Sequence, residues 1–109
     1  MNQASFPVEF NNEVDDVKQS ENEFYTFAAE RLSQLAAGHN DISGAMVNLK
    51  QPAEDRETSH IYEVTIVVYM GSEQIAATEK DDQIGATLTG ALAAVERQVR
   101  DRREQQRNY

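Results

Sequence analysis

The chain has no cysteine and no tryptophan among its 109 residues, and only two prolines. Without cysteine, neither a disulfide framework nor a thiolate-bound metal can staple the fold, so an ordinary apolar core has to hold it. An apolar content of 39% over this length is enough for one such core. No apolar run approaches the roughly 18 residues a membrane-spanning helix needs. The opening "MNQASFPVEFNNEVDD" has no basic-then-apolar leader. These absences lead us to expect a single domain over residues 1–109, cytoplasmic and without membrane contact.

Basic residues are also scarce. The formal net charge is −9, with ten basic against nineteen acidic side chains, which excludes a protein that coats nucleic acid indiscriminately. The distribution is uneven, however. Residues 1–95 hold five basic and sixteen acidic side chains, whereas residues 96–109 hold five basic and three acidic ones. The final "ALAAVERQVRDRREQQRNY" is therefore a local basic segment on an acidic body.

Hydrophobic periodicity organises the rest. "SFPVEF" alternates Phe6, Val8 and Phe10 against Pro7 and Glu9, the period of a half-buried strand, and Pro7 confines it to a sheet edge. An acidic connector, "NNEVDDVKQ", follows. Ser20 and Glu23 have capping-box spacing, Phe24, Ala28, Leu32 and Leu35 recur at helical spacing, and Gly38 supplies a stop, which predicts a helix over about 21–37. "ISGAMVNLK" reads as a strand with Ala45, Val47 and Leu49 inward and Lys50 outward, followed by a polar loop broken by Pro52. "HIYEVTIVVYM" is the strongest strand, and Gly71 and Ser72 link it by a hairpin to "EQIAATEK". Asp81 or Asp82 is placed to cap a last helix whose stripe is Ile84, Leu88, Ala91, Leu92, Val95 and Val99. Gly85 and Gly90 weaken this helix by about 1 kcal/mol each relative to alanine, so they predict a close approach to the sheet. From Arg100 onward the segment reads as an exposed charged tail, free to fray.

The order is β-α-β-β-β-α, an α+β fold. A right-handed crossover makes the first two strands parallel and places both helices on one face of a four-stranded mixed sheet.

With "AERLSQL", "MVNLK", the hairpin "YMGSEQIAAT" and the ending "ALAAVERQVR" in this order, the chain resembles the ribosome hibernation-promoting factor family, also called ribosome-associated inhibitors or sigma-54 modulation proteins. The resemblance covers about residues 5–107. It implies a domain similar to double-stranded RNA-binding domains that binds the small ribosomal subunit through ribosomal RNA, and so silences idle ribosomes without catalysis. The chain stops after its second helix, so it resembles the short form, which has no C-terminal dimerisation domain. The matching basic positions are Arg31 in the first helix, Lys50 at the end of the second strand, and Arg97 in an Arg-Gln step. Arg100, Arg102, Arg103 and Arg107 lie in the family's basic final turns. Gln34 and Ala94 depart from the family pattern, which often has lysine there.

Cations at a helix's C-terminal pole and an i,i+4 pair of Glu96 with Arg100 are worth tenths of a kcal/mol each when exposed, and do not by themselves call for five arginines. Arginine suits RNA because its planar guanidinium binds phosphate bidentately and releases counterions. Lys50 and Lys80 are expected on the sheet face away from the helices, near Thr65, Tyr69 and Thr78. There they serve either as a solvated surface or as RNA contacts. His39 and His60 have no metal-ligand spacing and read as loop histidines. No Ser-His-carboxylate set or phosphate-cradling glycine loop is present, so neither an enzyme, a small-molecule substrate nor a cofactor is expected. The loop "AEDRET" reads as solvated, or as a contact for a basic ribosomal protein. The alternative function is an acidic interaction module that keeps the fold and has lost ribosome binding. A positive strip joining Arg31, Lys50 and the last helix would favour the ribosome. Arginines paired with Glu96, Asp101 and Glu104 would favour the module.

Overall fold

Strands with strict two-residue alternation and helices with one apolar stripe can bury their surfaces only against each other, and here they do so in two layers. The computed structural model describes residues 6–14, 21–39, 41–51 and 61–107. These form β1 (Val8–Asn12), α1 (Glu21–Ala37), β2 (Ile42–Lys50), β3 (Tyr62–Met70), β4 (Glu73–Asp81) and α2 (Ile84–Arg107). The sheet order is β1-β2-β3-β4. The β1–β2 pair is parallel, with α1 as the crossover such a pair needs, and the other two pairs are antiparallel. The α+β order expected from the sequence is the one observed. The expected Ser20 cap, the Pro52 loop, His60 and the side chain of Arg107 lie outside the described residues.

Alternation in β3 sorts the sheet's two faces. Val64, Ile66, Val68 and Met70 are buried, and Glu63, Thr65, Val67 and Tyr69 between them are half-exposed. The buried set joins Val47 and Leu49 of β2, Ile75 and Ala77 of β4, Leu32 of α1, and Leu88, Leu92, Val95 and Val99 of α2 in one core. Each fully buried Val, Leu or Ile contributes about 1.5–3 kcal/mol relative to exposure. The pattern that makes the strands thus also fixes which face the helices cover.

Four local features depart from the sequence reading or refine it. First, Val14, placed in the acidic connector by sequence, is 3% exposed and belongs to the core. Its amide donates to Asn12 Oδ1 at 2.9 Å, and Asn12 Nδ2 donates to Glu21 Oε1 at 2.9 Å, so the connector starts as an ordered turn at the head of α1. Second, Asp81 rather than Asp82 turns the chain into α2, with its Oδ1 accepting from the Gln83 amide at 3.1 Å. Third, a Cβ on Gly90 would sit 3.5 Å from the Glu79 side chain, an ordinary contact, and one on Gly85 would meet nothing within 4 Å. Close approach therefore accounts for at most one of the two helical glycines. Fourth, α2 runs through Arg107, so the charged segment from Arg100 to Arg107 belongs to that helix.

Gly71, with φ of 57°, takes the first linking position of the β3–β4 hairpin, where a left-handed backbone favours glycine. Its amide donates to the Asp41 carbonyl at 2.9 Å, which ties the hairpin to the turn between α1 and β2. The end of α2 reaches this same corner of the molecule.

Candidate nucleic-acid interface

The last turns of α2 keep the periodicity of its core stripe but exchange apolar side chains for arginines. Val95 and Val99 are fully buried, and the next residues on that side are Arg102 and Arg103, both half-exposed. Arg102 pairs with Glu73 at the start of β4. Arg103 Nη2 donates to Asp41 Oδ1 at 2.6 Å, and its Nε donates to His39 Nδ1 at 3.2 Å. The Arg103 hydrogen bond holds the Asp41 carboxyl below the ordinary carboxylate range. His39 is thus a hydrogen-bond acceptor for the helix end, a role its loop position in the sequence did not signal. For Nδ1 to accept, the ring proton must sit on Nε2.

Arg31 projects from α1 toward α2. Its Nε and Nη2 donate to Glu96 Oε2 and Oε1 at 3.0 and 2.7 Å, a two-pronged carboxylate contact. The guanidinium also lies 5.7 Å from the centroid of the Phe27 ring, one turn earlier on α1. The Glu96 hydrogen bond raises the arginine's pKa further. Glu96, Arg100 and Arg103 follow each other at i, i+4 and i+7, so the side of α2 that meets Arg31 also carries Arg100 and Arg103. Arg97 and Arg100 are exposed and, among the described residues, make no ion pair.

Lys50 and Lys80 stand elsewhere. The register Lys50↔Glu63↔Lys80 places all three in one row across β2, β3 and β4, on the face away from the helices. Both ammonium groups approach the same carboxylate, at 3.7 Å from Lys50 to Glu63 Oε2 and 3.8 Å from Lys80 to Oε1. The next row carries Thr65 and Thr78, whose hydroxyls share a hydrogen bond of 2.9 Å. Tyr69 lies further along this face, beside Gly44 and Pro7 in an open groove that also reaches Phe6 and Tyr25.

The structure therefore brings Arg31, Arg97, Arg100 and Arg103 onto the helical side of the molecule and leaves Lys50 and Lys80 on the opposite face of the sheet. They do not form one continuous strip. Sequence reasoning missed the carboxylates Asp41, Glu63, Glu73 and, as the partner of Arg31, Glu96. The Lys50–Glu63–Lys80 row was legible in principle, since the hairpin register sets Glu63 opposite Lys80 and the second strand adds Lys50. The Arg31–Glu96 contact spans 65 positions, and no local pattern announces it.

Among the described residues, no group of three His, Cys, Asp or Glu side chains is placed to hold a metal ion. No described helix is long and apolar enough to cross a membrane.

The βαβββα sheet with both helices on one face defines a class of small α+β domain with close structural counterparts. It superposes on a ribosomal subunit interface protein from Coxiella burnetii with a TM-score of 0.68 at 13% identity, covering 89% of this chain and 97% of that one. It also superposes on the N-terminal domain of Thermus thermophilus Protein Y with a TM-score of 0.60 at 17% identity, covering 91% and 96% respectively. At such identities the likeness is one of fold. A family model described as Sigma 54 modulation protein / S30EA ribosomal protein matches residues 16–107, and the chain belongs to that family. No curated protein sequence matches it.

Proposed function

We propose that this protein is a cytoplasmic, non-enzymatic ribosome-associated factor that binds the small subunit through ribosomal RNA and inhibits translation, keeping idle ribosomes in hibernation. The observation that carries this reading is the outward pair Arg97 and Arg100 on α2, exposed and without carboxylate partners among the described residues, with Arg31 and Arg103 beside them. Exposed guanidinium groups bind phosphate bidentately, and each contact releases counterions. Inhibition then needs no chemistry, only a rigid domain occupying a surface that messenger or transfer RNA would use. Neither a cofactor nor a small-molecule substrate enters the mechanism. Lys50 and Lys80 contribute on a separate face, and Arg107, whose side chain lies outside the described residues, joins the arginines by its position in the sequence.

A second reading is supported by a specific observation. Arg31, Arg102, Arg103, Lys50 and Lys80 each already have an in-chain carboxylate partner. This suits an acidic interaction module that has lost ribosome binding and engages a basic protein. Sedimentation with purified small subunits separates the two. The ribosome reading expects binding at low salt that weakens steeply as salt rises, and the module reading expects none at any salt.

A further inference from the structure

We propose that Glu96 and Asp41 are specificity-determining residues that occupy, on Arg31 and Arg103, the positions where RNA phosphate oxygens would bind. This rests on the ribosome reading above. Glu96 takes the Nε and Nη2 edge of Arg31 at 3.0 and 2.7 Å, the same forked edge that a phosphate uses. Asp41 takes Nη2 of Arg103 at 2.6 Å. Neither pair is sealed. The side chains are 30% and 29% exposed for Arg31 and Glu96, and 30% and 41% for Arg103 and Asp41, so an incoming anion can reach both.

The consequence follows from competition at the guanidinium. A lone phosphate that takes the Nε and Nη2 edge of Arg31 must displace a carboxylate already held there in good geometry, and a chain of net charge −9 repels it on the way. An RNA surface that first engages Arg97 and Arg100 delivers further phosphates at high local concentration, and these can replace Glu96 and Asp41. The internal carboxylates thereby suppress binding to arbitrary RNA more than binding to a surface of matching shape, because discrimination grows when the wrong partner meets an added cost.

The test is a double-mutant cycle read by RNA affinity over a salt series, with two ligands: a short RNA duplex of arbitrary sequence and the purified small subunit. Glu96→Gln keeps shape and removes charge, Arg31→Gln removes its partner, and Glu9→Gln on β1 controls for net charge alone. Asp41→Asn with Arg103→Gln repeats the cycle at the second pair, and far-UV circular dichroism checks that each variant is folded. Expected is about three- to tenfold tighter duplex binding for Glu96→Gln than for Glu9→Gln, with a log–log salt slope steeper by about one. That gain should vanish in the Arg31→Gln background. A gain no larger than the Glu9→Gln control, or one that survives Arg31→Gln, overturns the proposal. The two ligands keep the readings apart. If the duplex shows the expected cycle and no form binds the subunit, the ribosome reading falls and the role of the carboxylates stands. If the subunit binds and Glu96→Gln matches Glu9→Gln on both ligands, the reverse holds.

Discussion

Arg31 and Glu96 join α1 to α2 by two hydrogen bonds of 3.0 and 2.7 Å, making one guanidinium both a strut between the helices and a candidate RNA contact. The two uses compete for the same N–H groups, and the balance between them can be measured. The pair is about 30% exposed on each side, so its worth to folding lies near the exposed-pair range of about 0.5–1 kcal/mol, lifted somewhat by the bidentate geometry. Arg31→Gln should lower urea-denaturation stability by that amount and leave the fold intact. A loss above about 3 kcal/mol would place the pair among buried, structurally essential ones instead.

The core makes a larger demand. Leu32 is 1% exposed and is the main side chain by which α1 enters the core. Leu32→Ala should cost about 2–5 kcal/mol in chemical denaturation. A cost below about 1 kcal/mol would mean that α1 contributes little to the packed core.

The glycines should respond in opposite directions. A methyl group at Gly85 meets nothing within 4 Å, so Gly85→Ala should stabilise by about 0.5 kcal/mol through the unfolded chain's lost freedom. At Gly71, with φ of 57°, alanine should cost about 1–2 kcal/mol. Thermal melts of the two variants should therefore shift to opposite sides of the wild type.

Asp41 gives stability a dependence on pH. Its folded pKa is depressed, chiefly by the Arg103 hydrogen bond. A depressed carboxyl stabilises the fold fully above its unfolded value of about 3.9 and loses that contribution as pH falls through the folded value. The stability gap between wild type and Asp41→Asn should accordingly close as pH falls below about 4. A gap that persists at pH 2 would assign the effect to something other than ionisation.

Much of the fold was legible in the sequence because its signals are local. The alternation from Tyr62 to Met70 named the central strand and its inward face. Gly71 and Ser72 named the hairpin, and a helix between β1 and β2 was enough to suggest a crossover and a parallel pair. Val14 was missed because the connector's two valines, Val14 and Val17, are too few among acids to show a period. The end of α2 carried no local signal, because an arginine-rich sequence has no apolar stripe, although its arginines make good helix formers. The site was less legible. Sequence spacing found the basic residues but not their partners, since Arg31 meets Glu96, and Arg103 meets Asp41, only after the helices dock on the sheet. The placement of Lys50 and Lys80 on the sheet face away from the helices was legible from strand alternation, but the carboxylate of Glu63 between them was not singled out.

The most direct measurement is co-sedimentation of the wild type and the Arg97→Gln, Arg100→Gln double variant with purified small ribosomal subunits across a salt series. These two arginines make no ion pair among the described residues, so their loss should leave stability near wild type while removing about two phosphate contacts. The account predicts wild-type association at low salt, a steep loss as salt rises, and weaker, less salt-dependent binding by the double variant. Absence of wild-type association at low salt, or a double variant that binds like the wild type, would contradict it.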